Sequence, residues 1–194
     1  TPGRDPHQRY RAPRLGVETR AFVPPGPGRL QVEMLYAGVC GTDLHLLQTD
    51  PLTGYVRTSA PATIPPAGRV IGHEGVGRVI AAGDGAAHLR PGSIVAFDSI
   101  IACLRCPVCR RGAFNQCPDA LLLGMQADGL FGTVVDVPAS LAHDVTAHIG
   151  SDRDLRAAAC LEPAGCALLA CENARVAAGE RVLVFGGGPI GLFA

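Results

Sequence analysis

The stretch Cys103-Leu104-Arg105-Cys106-Pro107-Val108-Cys109, followed after seven residues by Cys117-Pro118, decides how this chain is read. Two-residue gaps let a turn aim successive thiolates at one centre, and tetrahedral zinc takes four such sulfurs. The spacing predicts a closed, structural zinc held by Cys103, Cys106, Cys109 and Cys117, with no open position and no catalysis. Free or disulfide-bonded cysteines are the bland alternative. An iron–sulfur cluster is a third, although the ferredoxin ligand run closes with a shorter final gap. A nucleic-acid zinc ribbon is a fourth, with Arg105, Arg110 and Arg111 nearby. Three arginines in a neutral chain read more simply as a solvated face.

The rest of the composition agrees with a metal-binding enzyme. The 194 residues suffice for one sizeable core and part of a second domain. Hydrophobic residues make up 47% and charged residues 18%, which argues against disorder. The 17 basic and 17 acidic residues cancel, so there is no electrostatic footprint for nucleic acid or an anionic membrane. Every basic residue is arginine, a bias that fits GC-rich coding. No apolar run approaches the ~20 residues that cross a bilayer. The polar, Pro/Arg-rich start, residues 1–15, reads as a loose arm and not as a signal peptide. Clustered rather than scattered cysteines favour metal thiolates in a reducing cytoplasm over a secreted disulfide framework.

Upstream of the cysteine run, Leu30 to Tyr36 partly alternates and reads as a strand that delivers the chain to Cys40-Gly41-Thr42-Asp43-Leu44-His45. A thiolate at Cys40 suits a metal. Thr42 and His45 can both donate and accept a proton. Asp43 suits the support of a metal-bound histidine through its second ring nitrogen. A buried cysteine at a strand–helix turn is the plainer reading. From Leu46 to Ala67 the Pro/Thr-rich, aperiodic sequence reads as a long surface loop. Gly72-His73-Glu74-Gly75 follows, with His73 a candidate ligand and Glu74 either a ligand, an exchangeable ligand or a supporting group. Short strands are expected at Val76–Ala81, Ile94–Phe97 and Val134–Val137.

Downstream the pattern changes. Ser151-Asp152 is expected to cap a helix beginning near Arg153, and a second helix is expected from about Pro163 to Asn173. Glu162 stands in an otherwise apolar segment, where a carboxylate is costly unless paired or coordinated. It is a candidate for the metal or its water, or else a first-turn glutamate meeting the helix dipole, with Pro163 as first helical residue. Cys160, Cys166 and Cys171 read as small buried packing residues, with Cys166 a reserve ligand. His7, His88, His143 and His148 read as surface residues. Val182 to Phe185 reads as a strand feeding Gly186-x-Gly188-x-x-Gly191, a turn that lets backbone approach a dinucleotide pyrophosphate.

Taken together and in this order, the motifs closely resemble the zinc-dependent medium-chain alcohol/polyol dehydrogenase family, from about Gly16 to Ala194. The resemblance implies a mainly β chain with some α: a GroES-like, partly open β-barrel catalytic domain at 16–160, with a structural-zinc lobe at 98–120. The linking helix and the first strand and turn of an incomplete Rossmann domain would occupy 161–194. It implies two Zn2+ per chain. Cys40, His73, Glu74 and Glu162 match positions around the catalytic zinc, and Cys103, Cys106, Cys109 and Cys117 match the structural one. Asp43 matches the residue supporting the zinc-bound histidine, Thr42 and His45 the proton relay, and Gly186, Gly188 and Gly191 the NAD or NADP turn. Glu162, in Leu-Glu-Pro, matches the branch acting on polyols, sugars and amino alcohols. The implied reaction oxidises such an alcohol to a carbonyl with hydride transfer to NAD(P).

Two local departures are Gly92-Ser93-Ile94-Val95, where members usually have Gly-Asp-Arg-Val, and Phe131-Gly132-Thr133 in place of an Ala-Glu-Tyr-like segment. Family members also run well beyond Ala194, so this chain alone is expected not to hold NAD(P) productively. A non-catalytic zinc-binding fragment or subunit is the alternative function. The expected partners are a small-molecule alcohol and, in the intact enzyme, one or three further copies in a homo-dimer or homo-tetramer, with no nucleic acid and no membrane.

Overall fold

The computed structural model describes residues 10–21, 23–58, 62 and 64–194. Its centre is a five-stranded antiparallel sheet in the order β6-β1-β2-β3-β7. The strands are β1 (Arg29–Gly38), β2 (Glu74–Ala82), β3 (Ile94–Phe97), β6 (Val134–Pro138) and β7 (Ala142–Asp144). A separate two-stranded ribbon joins β4 (Ile100–Ile101) to β5 (Leu121–Leu122). The mainly β reading is met, and each expected strand up to Val137 lies within an observed one.

Alternation decides which face is buried. Leu30 and Val32 on β1, Val79 on β2, Val95 and Phe97 on β3, and Val135 and Val137 on β6 pack into one core with Leu123, Leu130 and Leu141. Period-2 side chains place these residues on a single face. Burying a side chain of this size stabilises by roughly 1.5–3 kcal/mol. The opposite face carries charge pairs such as Arg78–Glu33 at 3.2 Å and Arg29–Asp136. A smaller cluster, Val76, Ile94, Ala158 and Ala159, docks α2 (Asp152–Ala158) onto the sheet. Ser151 caps α2 as expected, its Oγ accepting from Asp154 N at 3.3 Å.

Several expectations need correction. The arm at 1–15 is not loose at residues 10–12: Val56 N donates to Tyr10 O at 3.1 Å, and Tyr10 Oη donates to Leu46 O at 2.9 Å. The Arg11 guanidinium also lies 4.2 Å above the Tyr55 ring. Residues 1–9, including His7, lie outside the described residues. The 46–67 segment is a loop but not wholly a surface one. Leu46, Val56, Thr58 and Ala62 are buried, and Leu46 and Ala62 pack with Met125. Residues 59–61 and 63 of that loop lie outside the described residues.

Helix α3 (Leu161–Ala174) begins before Pro163, which stands third in the helix rather than first. The third N–H of a helix has no partner inside the helix, so proline costs nothing there. Cys160, Cys166 and Cys171 are not buried, and Cys166 is exposed. The expected strand Val182–Phe185 joins no ladder, and Leu183 and Phe185 are 76% and 91% exposed. A strand is defined by its partner, and no described segment runs alongside this one. A short helix, α4 (Pro189–Phe193), follows the glycines. No described helix is long and apolar enough to cross a membrane.

Candidate functional site

Strand pairing assembles the first cluster. In the β1–β2 register Gly38 faces Glu74, so the residues just past the end of β1 meet those just before β2. The short helix α1 (Gly41–His45) starts at Cys40. As a result one ligand atom each from Cys40, His73 and Glu74 comes within 4.8 Å of the others. Two glycines make room. A Cβ on Gly38 would collide with the Glu74 carboxylate. Gly72 has φ +91°, and a Cβ there would collide with the Phe131 ring. Phe131, one of the departures noted above, therefore packs directly beneath the histidine segment. Backbone bonds from Gly129 N to Val70 O (2.8 Å), Leu130 N to Gly72 O (3.0 Å) and Phe131 N to Ile71 O (2.9 Å) fix that segment.

Asp43 ties the two ligand segments together. It is 2% exposed, and it accepts from Cys40 N at 3.0 Å and from Gly72 N at 3.3 Å. Its Oδ1 lies 3.6 Å from His73 Nδ1, too long for a good hydrogen bond, and that buried nitrogen has no other partner. Burial works to lower the His73 pKa, but Asp43, then Cys40 and Glu162, outweigh it and push it up to about 9. Burial raises the Glu74 pKa, against the lowering influence of Cys40 and His73. A buried pocket of thiol, imidazole and carboxylate that draws in a proton this strongly is one that a cation would stabilise.

The donor set fits zinc: sulfur, imidazole nitrogen and carboxylate oxygen are its three protein ligand types, and three of them leave a coordination position open. The orphaned Nδ1 also fits, since a histidine that ligates through Nε2 carries its proton on Nδ1, facing Asp43. Thr42 lies at the rim, its Oγ1 accepting from Cys40 Sγ at 3.5 Å. His45 is exposed at the end of α1. Glu162, in the first turn of α3, is half-buried and does not join the converging ligand atoms. Ser99 Oγ donates to Glu162 Oε1 at 2.7 Å. Ser99 carries no motif, and its partner lies far along the chain, so nothing in the sequence singles it out. Cys166 lies one helical turn beyond Glu162; although its surface is exposed, partial desolvation and then Glu162 and Cys40 raise its pKa.

The second cluster sits at the tip of the β4–β5 ribbon. One sulfur each from Cys103, Cys106, Cys109 and Cys117 falls within 4.8 Å of the others. Cys103 Sγ and Cys109 Sγ are 3.9 Å apart, close to the ~3.8 Å edge of a tetrahedron with Zn–S bonds of about 2.3 Å. Backbone N–H groups point at sulfur, from Cys103 to Cys117 Sγ at 3.5 Å and from Cys109 to Cys106 Sγ at 3.4 Å. Gly112, with φ +81°, turns the chain back between the third and fourth cysteines. The N–H groups of Arg105 and Cys106 lower the Cys103 pKa. Burial and then the neighbouring sulfurs raise that of Cys109. Four sulfurs this close cannot all ionise unless a cation sits among them, and zinc fits. Residues 103–117 bring the cluster no open position.

The glycine turn stands apart from both clusters. Gly186 has φ +102°, and a Cβ on Gly191 would collide with the Gly186 carbonyl, so the turn needs glycine at both ends. A shallow pocket lined by Val184, Phe185, Gly186, Gly188, Pro189 and Ile190 opens there.

Residues 26–147 match the family model of the alcohol dehydrogenase GroES-like domain, and the chain belongs to the zinc-type medium-chain alcohol/polyol dehydrogenase family. It is 34% identical over 169 residues to the L-galactonate-5-dehydrogenase of Escherichia coli (strain K12), covering 87% of this chain and 45% of the relative. It is 32% identical over 181 residues to the sorbitol dehydrogenase of Halalkalibacterium halodurans, covering 93% and 48%. A solved alcohol dehydrogenase (rspB) of Escherichia coli CFT073, complexed with NADH, superposes with a TM-score of 0.74 at 32% identity over 90% of this chain and 46% of that one. The chain thus spans about half the length of the curated relatives it matches.

Proposed function

We propose that this chain is the catalytic domain of a zinc-dependent oxidoreductase that oxidises an alcohol of a polyol, sugar or amino alcohol to a carbonyl, with hydride transfer to NAD(P). The observation that carries this reading is the convergence of Cys40, His73 and Glu74 within 4.8 Å beside the Thr42 hydroxyl. Zinc held by these three side chains would supply Lewis acidity to a substrate hydroxyl. Asp43 holds the two ligand segments in register and faces the His73 ring, fixing its tautomer. Thr42 accepts the proton that leaves the substrate hydroxyl, and exposed His45 returns it to solvent. Gly186, Gly188 and Gly191 let the backbone approach the cofactor pyrophosphate. Cys103, Cys106, Cys109 and Cys117 hold a second, purely structural zinc.

Glu162 supports the polyol-type assignment, since a carboxylate facing the cleft accepts hydrogen bonds from extra hydroxyl or ammonium groups. The names of the relatives, a galactonate and a sorbitol dehydrogenase, support the same substrate class. All eight cysteines are free, which suits a reducing cytoplasm.

Metal analysis combined with turnover tests the proposal. The chain should hold two zinc ions, and Cys40→Ala should hold one. In the whole enzyme, NAD(P)-linked oxidation of a polyol and amino-alcohol panel should disappear with that same substitution. Unchanged turnover in Cys40→Ala would refute it.

A further inference from the structure

We propose that Ser99 is a positioning residue: its hydroxyl holds Glu162 beside the Cys40–His73–Glu74 cluster but outside its ligand set, keeping one coordination position open for a substrate oxygen. The inference rests on the reading of that cluster as the catalytic metal site.

Glu162 is close enough to matter. It sits in the first turn of α3, which packs against β2, the strand that begins at Glu74, and against β3, the strand that ends just before Ser99. Yet the ligand atoms that converge belong to Cys40, His73 and Glu74 alone among these residues. A glutamate has three rotatable bonds, and an unrestrained carboxylate next to a divalent cation swings toward it. Once there it would occupy the position that an alcohol needs, since a tetrahedral site with four protein ligands is closed.

Ser99 supplies the restraint. Its Oγ donates to Glu162 Oε1 at 2.7 Å, the distance of a charge-assisted bond. The serine itself is held on both sides. It is 9% exposed and lies just past the end of β3, and its carbonyl accepts from Leu123 N at 2.9 Å. The preceding Asp98 N donates to Leu141 O at 2.8 Å. The backbone that carries the hydroxyl is therefore fixed to the sheet and to the base of the cysteine lobe, while Glu162 is carried by α3. A neutral donor is the right chemistry here: it engages one carboxylate oxygen without cancelling the charge that the other presents to the cleft. An arginine or lysine would have quenched it.

Cobalt(II) substitution tests the proposal, because its visible bands report ligand type and coordination geometry. Subtracting the spectrum of cobalt-loaded Cys40→Ala from that of the cobalt-loaded chain isolates the bands of this site from those of the four-cysteine lobe. In Ser99→Ala these bands should weaken and shift as Glu162 enters the ligand set, whereas Ser99→Thr, which keeps the hydroxyl, should retain them. In a Glu162→Gln background, Ser99→Ala should change nothing further. Ser99→Gly carries the same expectation should alanine disturb folding. Unchanged bands in Ser99→Ala, or an equal change when Glu162 is already Gln, would overturn the role of Ser99 and leave the metal reading standing. Absence of any Cys40-dependent band in the unmodified chain would overturn the metal reading itself.

Discussion

The two cysteine-bearing clusters of this molecule are built in opposite ways. The lobe takes all four sulfurs from one short loop, Cys103 to Cys117, closed at its base by the β4–β5 ribbon. The cleft takes its ligand atoms from the end of one strand and the start of another, joined through the β1–β2 register and the Asp43 carboxylate. A loop folded around four like ligands has no position to spare and little structure of its own without an ion. A site spanning two strands of a packed sheet stands without one, and can leave a vacancy for chemistry. Stability should therefore depend on the first cluster and turnover on the second.

The sharpest way to break this contrast is to remove one sulfur from each. Cys106→Ser should lower the melting temperature by about 10 °C or more, since structural zinc contributes on the order of 10 kcal/mol of apparent binding energy and each kcal/mol is worth roughly 2–4 °C in a chain of this size. Amide exchange should show the loss confined at first to the 98–120 lobe. Cys40→Ala should lose one metal ion yet shift the melting temperature by only about 3 °C or less, while turnover of the whole enzyme falls about a thousandfold. Equal thermal effects in the two variants would erase the distinction.

Smaller perturbations sharpen it. Gly72→Ala forces a Cβ against the Phe131 ring at a left-handed φ, and should cost at least about 2 kcal/mol in denaturant unfolding. Asp43→Asn keeps the shape but removes the charge facing His73 and one of the two backbone bonds the carboxylate accepts, and should weaken zinc at the cleft about 10–100-fold in a chelator competition, with the lobe unaffected. The last expected effect is one of pH. In the metal-free chain His73 has its pKa pushed up to about 9, above its unfolded value, by Asp43 against the pull of burial. The stability this contributes is complete below ~6.5 and is lost as pH rises through about 9. Zinc competes with this proton and with the thiol proton of Cys40, so cleft affinity should rise by at least about tenfold per pH unit from neutrality up to about 9. The zinc-loaded chain should show no corresponding loss of stability.

The lobe was legible in the sequence because its ligands are neighbours and turn chemistry alone brings them together. Cys40, His73 and Glu74 were legible only as short motifs beside strands, and the pairing that joins them follows from a hydrophobic alternation that the sequence also carries. Ser99 was not legible. Its importance comes from a carboxylate on α3, and one serine after a buried strand looks like any other. Gly38 was equally silent, because its role is an absence of atoms where Glu74 crosses the end of β1. The strand expected at Val182–Phe185 shows the converse: apolar β-branched residues mark a strand, but a ladder needs hydrogen-bonding partners, and the described chain offers none there.

By itself, then, the order of residues determined which side chains can bind metal, which segments form the strands of the central sheet up to Val137, and that four cysteines fall within reach of one centre, since all of this depends on local spacing and period. Only the tertiary structure decided which distant residues share a cleft, which carboxylate joins the converging ligand atoms and which does not, and where a glycine is indispensable. These depend on strand register and on packing across the sheet, where a shift of a few ångströms separates a ligand from a bystander.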